Sequence, residues 1–229
     1  MHTNTLDYDP VRDLIVLSSP HLSEIWILDH STTTDQAAGH TGGRYKHGGD
    51  LLWRWGNPKN YARGTKEDQR LFYQHNVQWI LPGRPGAGHL LVFNNGQERP
   101  GKEYSSIEEL ALPFTPGTGF PLEGGTHGPK ESVWSYRDPE HFYASFISGC
   151  QRLANGNTLI CEGPKGRVFE VTSGGEIVWE FWNSLGGDLP TNGPPEGKAL
   201  FRATRIASDH PGLRGRELRP LEEPAVGGH

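Results

Sequence analysis

The chain has 229 residues, among them 31 Gly, 18 Pro, seven Trp, seven Tyr and nine Phe. The aromatic content calls for a packed core, and Gly plus Pro stay short of the level that marks low-complexity disorder. A formal net charge of -5 excludes a bulk electrostatic case for nucleic-acid binding, no stretch reaches the length of a membrane span, and no charged-then-apolar signal segment opens the sequence.

In chain order, Thr5 to Tyr8 reads as a short strand, Leu14 to Ser19 (LIVLSS) as a central strand and Glu24 to Asp29 (EIWILD) as a third. The fourth is Leu52-Trp53-Arg54-Trp55-Gly56-Asn57-Pro58, which the Asn-Pro step ends. The same order returns as Val77 to Leu81, Leu90 to Asn95 (LLVFNN), Ser106 to Leu110 (SIEEL) and Val133-Trp134-Ser135-Tyr136-Arg137-Asp138-Pro139. It returns again as Gly149 to Leu153, Thr158 to Gly163 (TLICEG), Arg167 to Thr172 (RVFEVT) and Val178-Trp179-Glu180-Phe181-Trp182-Asn183-Ser184. Each fourth strand places Trp and a second aromatic two apart, on one strand face. This assigns Trp53, Trp134 and Trp179 to the core.

Four strands recurring three times predict an all-β chain, a β-propeller of four-stranded antiparallel blades. The blades span approximately 1–58, 74–139 and 140–184, with a closing strand at 200–206 and an irregular tail over 207–229. Residues 1–206 thus form about three blades plus one strand, a partial propeller. Three insertions interrupt the strands: Ser31 to Gly49, Asn60 to Tyr73 and Gln97 to Glu131. Of these, Asn60 to Tyr73 alone has helical character, with Thr65 and Asp68 spaced as a capping box. An open blade leaves unpaired edges and an uncovered aromatic face, so self-association through open blade edges is expected.

A two-residue turn at Asn155-Gly156 sets Cys150 opposite Cys161, within reach of a disulfide or as two buried free thiols. Glu108 and Glu109 lie on opposite strand faces and read as solvated charges. His30, His40 and His47 lack the spacing of a zinc site, and no metal is predicted.

First strands of propeller blades line the central channel, so residues at their mouths converge. His2 and His75 take matching positions there, each beside amides: Asn4 for the first, Gln74 and Asn76 for the second. The third repeat has Ile147, so the strand itself does not require His. This asymmetry marks a candidate site.

The opening HTNTLDYDP...LIVLSS, the QHNVQW...HLLVFNNG stretch and ISGCQRLANGNTLICEG resemble bacterial arylsulfate sulfotransferases, over nearly all of residues 2 to 206. The DHSTTT and GGDLLWRWGNP strings are closest to an arylsulfotransferase-like subgroup. The resemblance implies a six-bladed periplasmic propeller whose earlier blades precede Met1, with sulfuryl transfer from a phenolic sulfate ester to a phenol and no cofactor. His75 matches the histidine that becomes sulfated, and His2 with Asn4 matches the H-x-N pair that contacts the sulfuryl group. Asn76 and His21 complete the expected substrate-binding set. One departure stands out: the family's Arg falls on Pro20, which cannot replace a fixed cation. A non-catalytic propeller binding a small ligand or protein partner is the alternative.

Overall fold

The computed structural model describes residues 2–116, 118–184, 198–217 and 219. Strands β1 (Thr5–Asp9), β2 (Leu14–Ser19), β3 (Glu24–Asp29) and β4 (Trp53–Trp55) form one antiparallel sheet in that order. The second holds β5 (His75–Trp79), β6 (Leu90–Asn94), β7 (Ser106–Leu110) and β10 (Trp134–Arg137); the small hairpin of β8 (Leu122–Glu123) and β9 (Thr126–His127) intervenes in the chain. The third holds β11 (Gly149–Arg152), β12 (Thr158–Glu162), β13 (Arg167–Val171) and β14 (Ile177–Trp182). The chain is all-β, built of four-stranded antiparallel sheets arranged as propeller blades. No helix among the described residues is long and apolar enough to cross a membrane.

Alternation along the strands decides how the sheets pack. Leu14, Val16, Ile25, Ile27, Trp53 and Trp55 of the first sheet meet Val77, Trp79, Leu90, Val92 and Leu110 of the second. The opposite face of that second sheet, Leu91, Phe93, Ile107 and Tyr136, meets Cys150, Ile160, Phe169 and Val171 of the third. Covered on both faces, β6 is buried at every residue, which explains its continuous apolar run.

Trp53 is fully buried, stacks on Trp55 with ring centroids 6.5 Å apart, and donates its indole N–H to the Gly128 carbonyl at 2.8 Å. Trp179 and Phe181 repeat the stack at 6.3 Å yet are 43% and 46% exposed. Trp179 is therefore not core: among the described residues no further sheet covers β14.

Several expectations are corrected. Residues 201–206 make no ladder; instead the Ser148 N–H donates to the Phe201 carbonyl at 3.2 Å, and the Gln151 side chain pairs with the Arg205 backbone in both directions. The Thr65–Asp68 capping box forms but caps only a single 3-10 turn, Lys66–Asp68. A short helix, α1 (Thr34–Ala37), stands in the first insertion, closed by a Thr33/Gln36 capping box; one turn is too short to leave a periodic signal. The tail contains one 3-10 turn, Pro211–Leu213, and its positions 218 and 220–229 lie outside the described residues. Glu109 is buried rather than solvated, paired with Arg152 at 2.6 Å and His89 at 2.7 Å.

The cysteine register is also displaced by one. The loop closes with the Leu153 N–H on the Asn157 carbonyl at 2.8 Å and Gly156 at φ +89, so it holds three residues rather than two. Gly149 then faces Cys161, and Cys150 faces Ile160. A one-residue slip reverses the faces, so the thiols belong to different apolar clusters and both are buried and free. Burial pushes the Cys161 thiol up to about 11 and raises Cys150 further.

Replacing Trp53 by Ala should cost about 3–5 kcal/mol, whereas the half-exposed Trp179 should cost about 1 kcal/mol or less, measured by denaturant unfolding. Reductant should leave the melting temperature unchanged, and native protein should resist alkylation at both cysteines.

Candidate functional site

His75 opens β5 at a bulge. It pairs with Phe93, but the next pairing is Gln78 with Leu91, leaving Asn76 and Val77 opposite one residue of β6. Such a bulge bends the strand and re-aims its side chains. Tyr73 and Asn76, on either side, hold positive φ of 55 and 50, conformations that cost on the order of 1–3 kcal/mol each and persist only where the surroundings fix them.

Buried Gln74 does much of that fixing: its amide donates to Ser18 Oγ at 3.1 Å, the Ser19 carbonyl at 3.2 Å and the Glu24 carbonyl at 2.8 Å. Its own backbone carbonyl accepts from Asn4 Nδ2 at 2.8 Å. The Asn76 N–H donates to Thr5 Oγ1 at 2.9 Å.

The tautomer of His75 follows from its partners. Its Nδ1 lies 2.8 Å from Asn95 Oδ1 and 3.1 Å from the Tyr73 carbonyl, both acceptors. The Asn95 amide cannot be turned, because its Nδ2 donates to the carbonyls of Ala144 at 2.8 Å and Ile147 at 3.1 Å. Nδ1 therefore carries the hydrogen, and the neutral ring keeps its lone pair on Nε2. Burial lowers the imidazole pKa from its ordinary 6.5 against the raising effect of the bonds to Asn95 and Tyr73, and the electrostatic effect of His2 and Arg202 pushes the same way as burial. The ring is held as a neutral base with one free nitrogen.

His2 and His21 stack with centroids 5.4 Å apart, and His21 meets the Tyr73 ring edge-on at 6.1 Å. The residue following Pro20 thus turns toward His2, and three of the expected residues, His75, His2 and His21, share one neighbourhood. Asn4 reaches it with its amide donating to Gln74. Asn76 points elsewhere: its Oδ1 accepts from the Cys150 N–H at 2.8 Å and from Gln78 Nε2 at 3.0 Å, between the second and third sheets.

The matching of His2 with His75 is corrected by register. His75 is the first residue of β5, while His2 precedes β1, which starts at Thr5. Ile147 precedes β11 and takes a positive φ of 47. Three further residues join the site without having stood out in the sequence. Asn95 was visible only as a polar end to an apolar strand, Tyr73 stood beside the quoted QHNV string, and Arg202 lay in a segment read as a strand.

A cavity of about 230 Å³ opens beside His21 and Tyr73 and is also lined by Phe72, Ser23, Asn57 and Glu98. A larger one, about 500 Å³, lies between the Trp55–Arg70 and Glu123–Lys130 segments and does not include His75. His75 lines neither cavity; the smaller one adjoins it through Tyr73, whose carbonyl faces His75 Nδ1.

The family model for arylsulfotransferases (ASST) matches residues 1–180. The chain belongs to this family. The match covers the first two blades, the third as far as the middle of β14, and every expected site residue. Curated proteins provide no match. Among solved structures, a protein of unknown function from Bacteroides caccae is similar at 14% identity and a TM-score of 0.43, over 79% of this chain. The chain spans 46% of that protein's length.

For this arylsulfotransferase-family chain, the NMR titration midpoint of His75 should lie below 6.5, and Asn95→Asp should raise it by placing a carboxylate on Nδ1. As pH falls through 6.5 the unfolded imidazole takes a proton that the folded one refuses, so the wild-type fold loses stability there. Replacing His75 by Gln should flatten that part of the stability profile.

Proposed function

We propose that the protein moves a sulfuryl group from a phenolic sulfate ester to a phenolic acceptor through a sulfo-histidine at His75. The observation that carries this reading is the orientation of His75, whose Nδ1–H is held by Asn95 and Tyr73 and whose Nε2 is left as a nucleophile. Nε2 donates its lone pair to sulfur, the S–N bond forms, and the ester S–O bond breaks to release phenolate. An acceptor phenol then attacks sulfur and breaks the S–N bond, returning the imidazole to its neutral state. The proton lost by the acceptor ends on the departed phenolate, and the stacked His2 and His21 are the groups suited to carry it.

The cavity beside Tyr73 and Phe72 offers an aromatic wall for the aryl ring. We assign His75 the catalytic role, His2 and His21 proton transfer and contact with the sulfuryl group, and Asn4 a supporting contact. Asn76 is assigned a positioning role, since its amide oxygen serves the neighbouring blade. The whole enzyme is proposed to be a six-bladed periplasmic propeller, and the exposed aromatics of β14 are proposed to drive self-association of the isolated chain.

The occupied Asn4 amide and Pro20 favour a second reading, a non-catalytic propeller that binds a small ligand or a protein partner. A transfer assay from nitrophenyl sulfate to phenol separates the two. The sulfotransferase reading expects turnover that His75→Ala reduces by about 10³-fold or more, with the fold unchanged by circular dichroism. Wild-type protein that transfers nothing decides for the binding module.

A further inference from the structure

Transfer of an anionic sulfuryl group needs positive charge fixed close to the nucleophile. Arg202, an exposed arginine on a tied backbone segment, is placed to supply it. The segment carrying it is tied on both sides: the Leu200 N–H donates to the Gly163 carbonyl at 2.9 Å, the Phe201 carbonyl accepts from Ser148 at 3.2 Å, and the Arg205 N–H donates to Gln151 Oε1 at 2.8 Å. Ser148 also accepts from the Gly163 N–H through its hydroxyl at 3.0 Å and holds a positive φ of 83, next to Ile147 at 47. That same kink supplies the Ile147 carbonyl to Asn95, the amide that orients His75. Three hydrogen bonds, Ser148 to Phe201, Asn95 to Ile147 and His75 to Asn95, therefore join the backbone next to Arg202 to the imidazole.

The side chain has space made for it. A Cβ at Gly149 would lie 3.2 Å from Arg202 Cγ and 2.6 Å from Asn76 Oδ1, so glycine is what lets the arginine stem lie across the start of β11. Among the described residues no carboxylate pairs with Arg202, although Arg205, three residues on, is paired with Glu170. The electrostatic influence of Arg202 on His75 agrees with this placement. The guanidinium is exposed, lies 5.9 Å from the centroid of the Phe201 ring and has no carboxylate partner among the described residues, so it is open to an anion.

We propose that Arg202 is a substrate-binding residue for the sulfuryl oxygens, supplying from the segment after the third blade the cation that Pro20 cannot provide. The assignment rests on the sulfotransferase reading of His75. Guanidinium N–H groups can donate to two sulfuryl oxygens at once, and their charge stabilises the negative charge that builds as the S–O bond breaks.

The test uses the full chain and compares wild type, Arg202→Ala, Arg202→Lys, Gly149→Ala and His75→Ala in nitrophenyl sulfate turnover, alongside NMR titration of His75. Arg202→Ala should lower kcat by about 10²-fold and raise the His75 midpoint, with Arg202→Lys recovering part of both. Gly149→Ala should follow Arg202→Ala while retaining Arg202. Turnover of Arg202→Ala within about twofold of wild type, with His75→Ala inactive, overturns the Arg202 assignment alone. An inactive wild type overturns it together with the sulfotransferase reading.

Discussion

Neighbouring blades in this chain share no backbone ladder along their inner strands, so the inward-facing amides of each inner strand need partners that the sheet cannot supply. Side chains of the preceding blade provide them. Thr5 and Asp7 of β1 accept from the backbone of Asn76 and Trp79, Asn76 of β5 accepts from Cys150, and Gln151 of β11 accepts from Arg205. A buried donor left unmet costs about 1–3 kcal/mol, so these short polar residues at the mouths of inner strands are part of the scaffold. Apolar contact presses the sheets together, while these bonds set where each inner strand begins.

The candidate site is a by-product of that arrangement. Gln74 is held against the first sheet between Tyr73 and Asn76, both left-handed, and with the bulge at Asn76 and Val77 this sets His75 onto Asn95. Asn95 in turn is locked to the third blade through Ala144 and Ile147. The imidazole therefore reads the relative position of all three blades, with its tautomer fixed by amide and carbonyl oxygens instead of a carboxylate. A carboxylate on Nδ1 would favour imidazolium; an amide leaves the ring neutral and its second nitrogen available.

Much of the fold was legible because period-two alternation is a strong signal when blades repeat. LIVLSS, EIWILD and SIEEL became strands with the expected ends. The cysteine register was not legible, since Leu153-Ala154-Asn155-Gly156-Asn157 is compatible with a hairpin loop of two residues or of three, and one residue decides which face each thiol occupies. Trp179 carried the same pattern as Trp53, and only the covering of its face, a property of neighbours rather than of sequence, separates exposed from buried. At the site, histidines stood out because their chemistry is rare. Asn95 and Arg202 did not, since an amide ending a strand and an arginine in an irregular segment acquire meaning only when the blades bring them to His75.

Whether His75 Nε2 is the atom that takes the sulfuryl group can be read from the covalent intermediate itself. The protein is mixed with nitrophenyl sulfate in the absence of acceptor and quenched at a pH that preserves the N–S bond, and the added sulfuryl mass is located by peptide mass spectrometry. One sulfuryl group is expected on the peptide containing His75, lost in His75→Ala and discharged by added phenol. Sulfuryl mass on His2 or His21 instead, or turnover in which His75 never becomes modified, would refute the role given to His75.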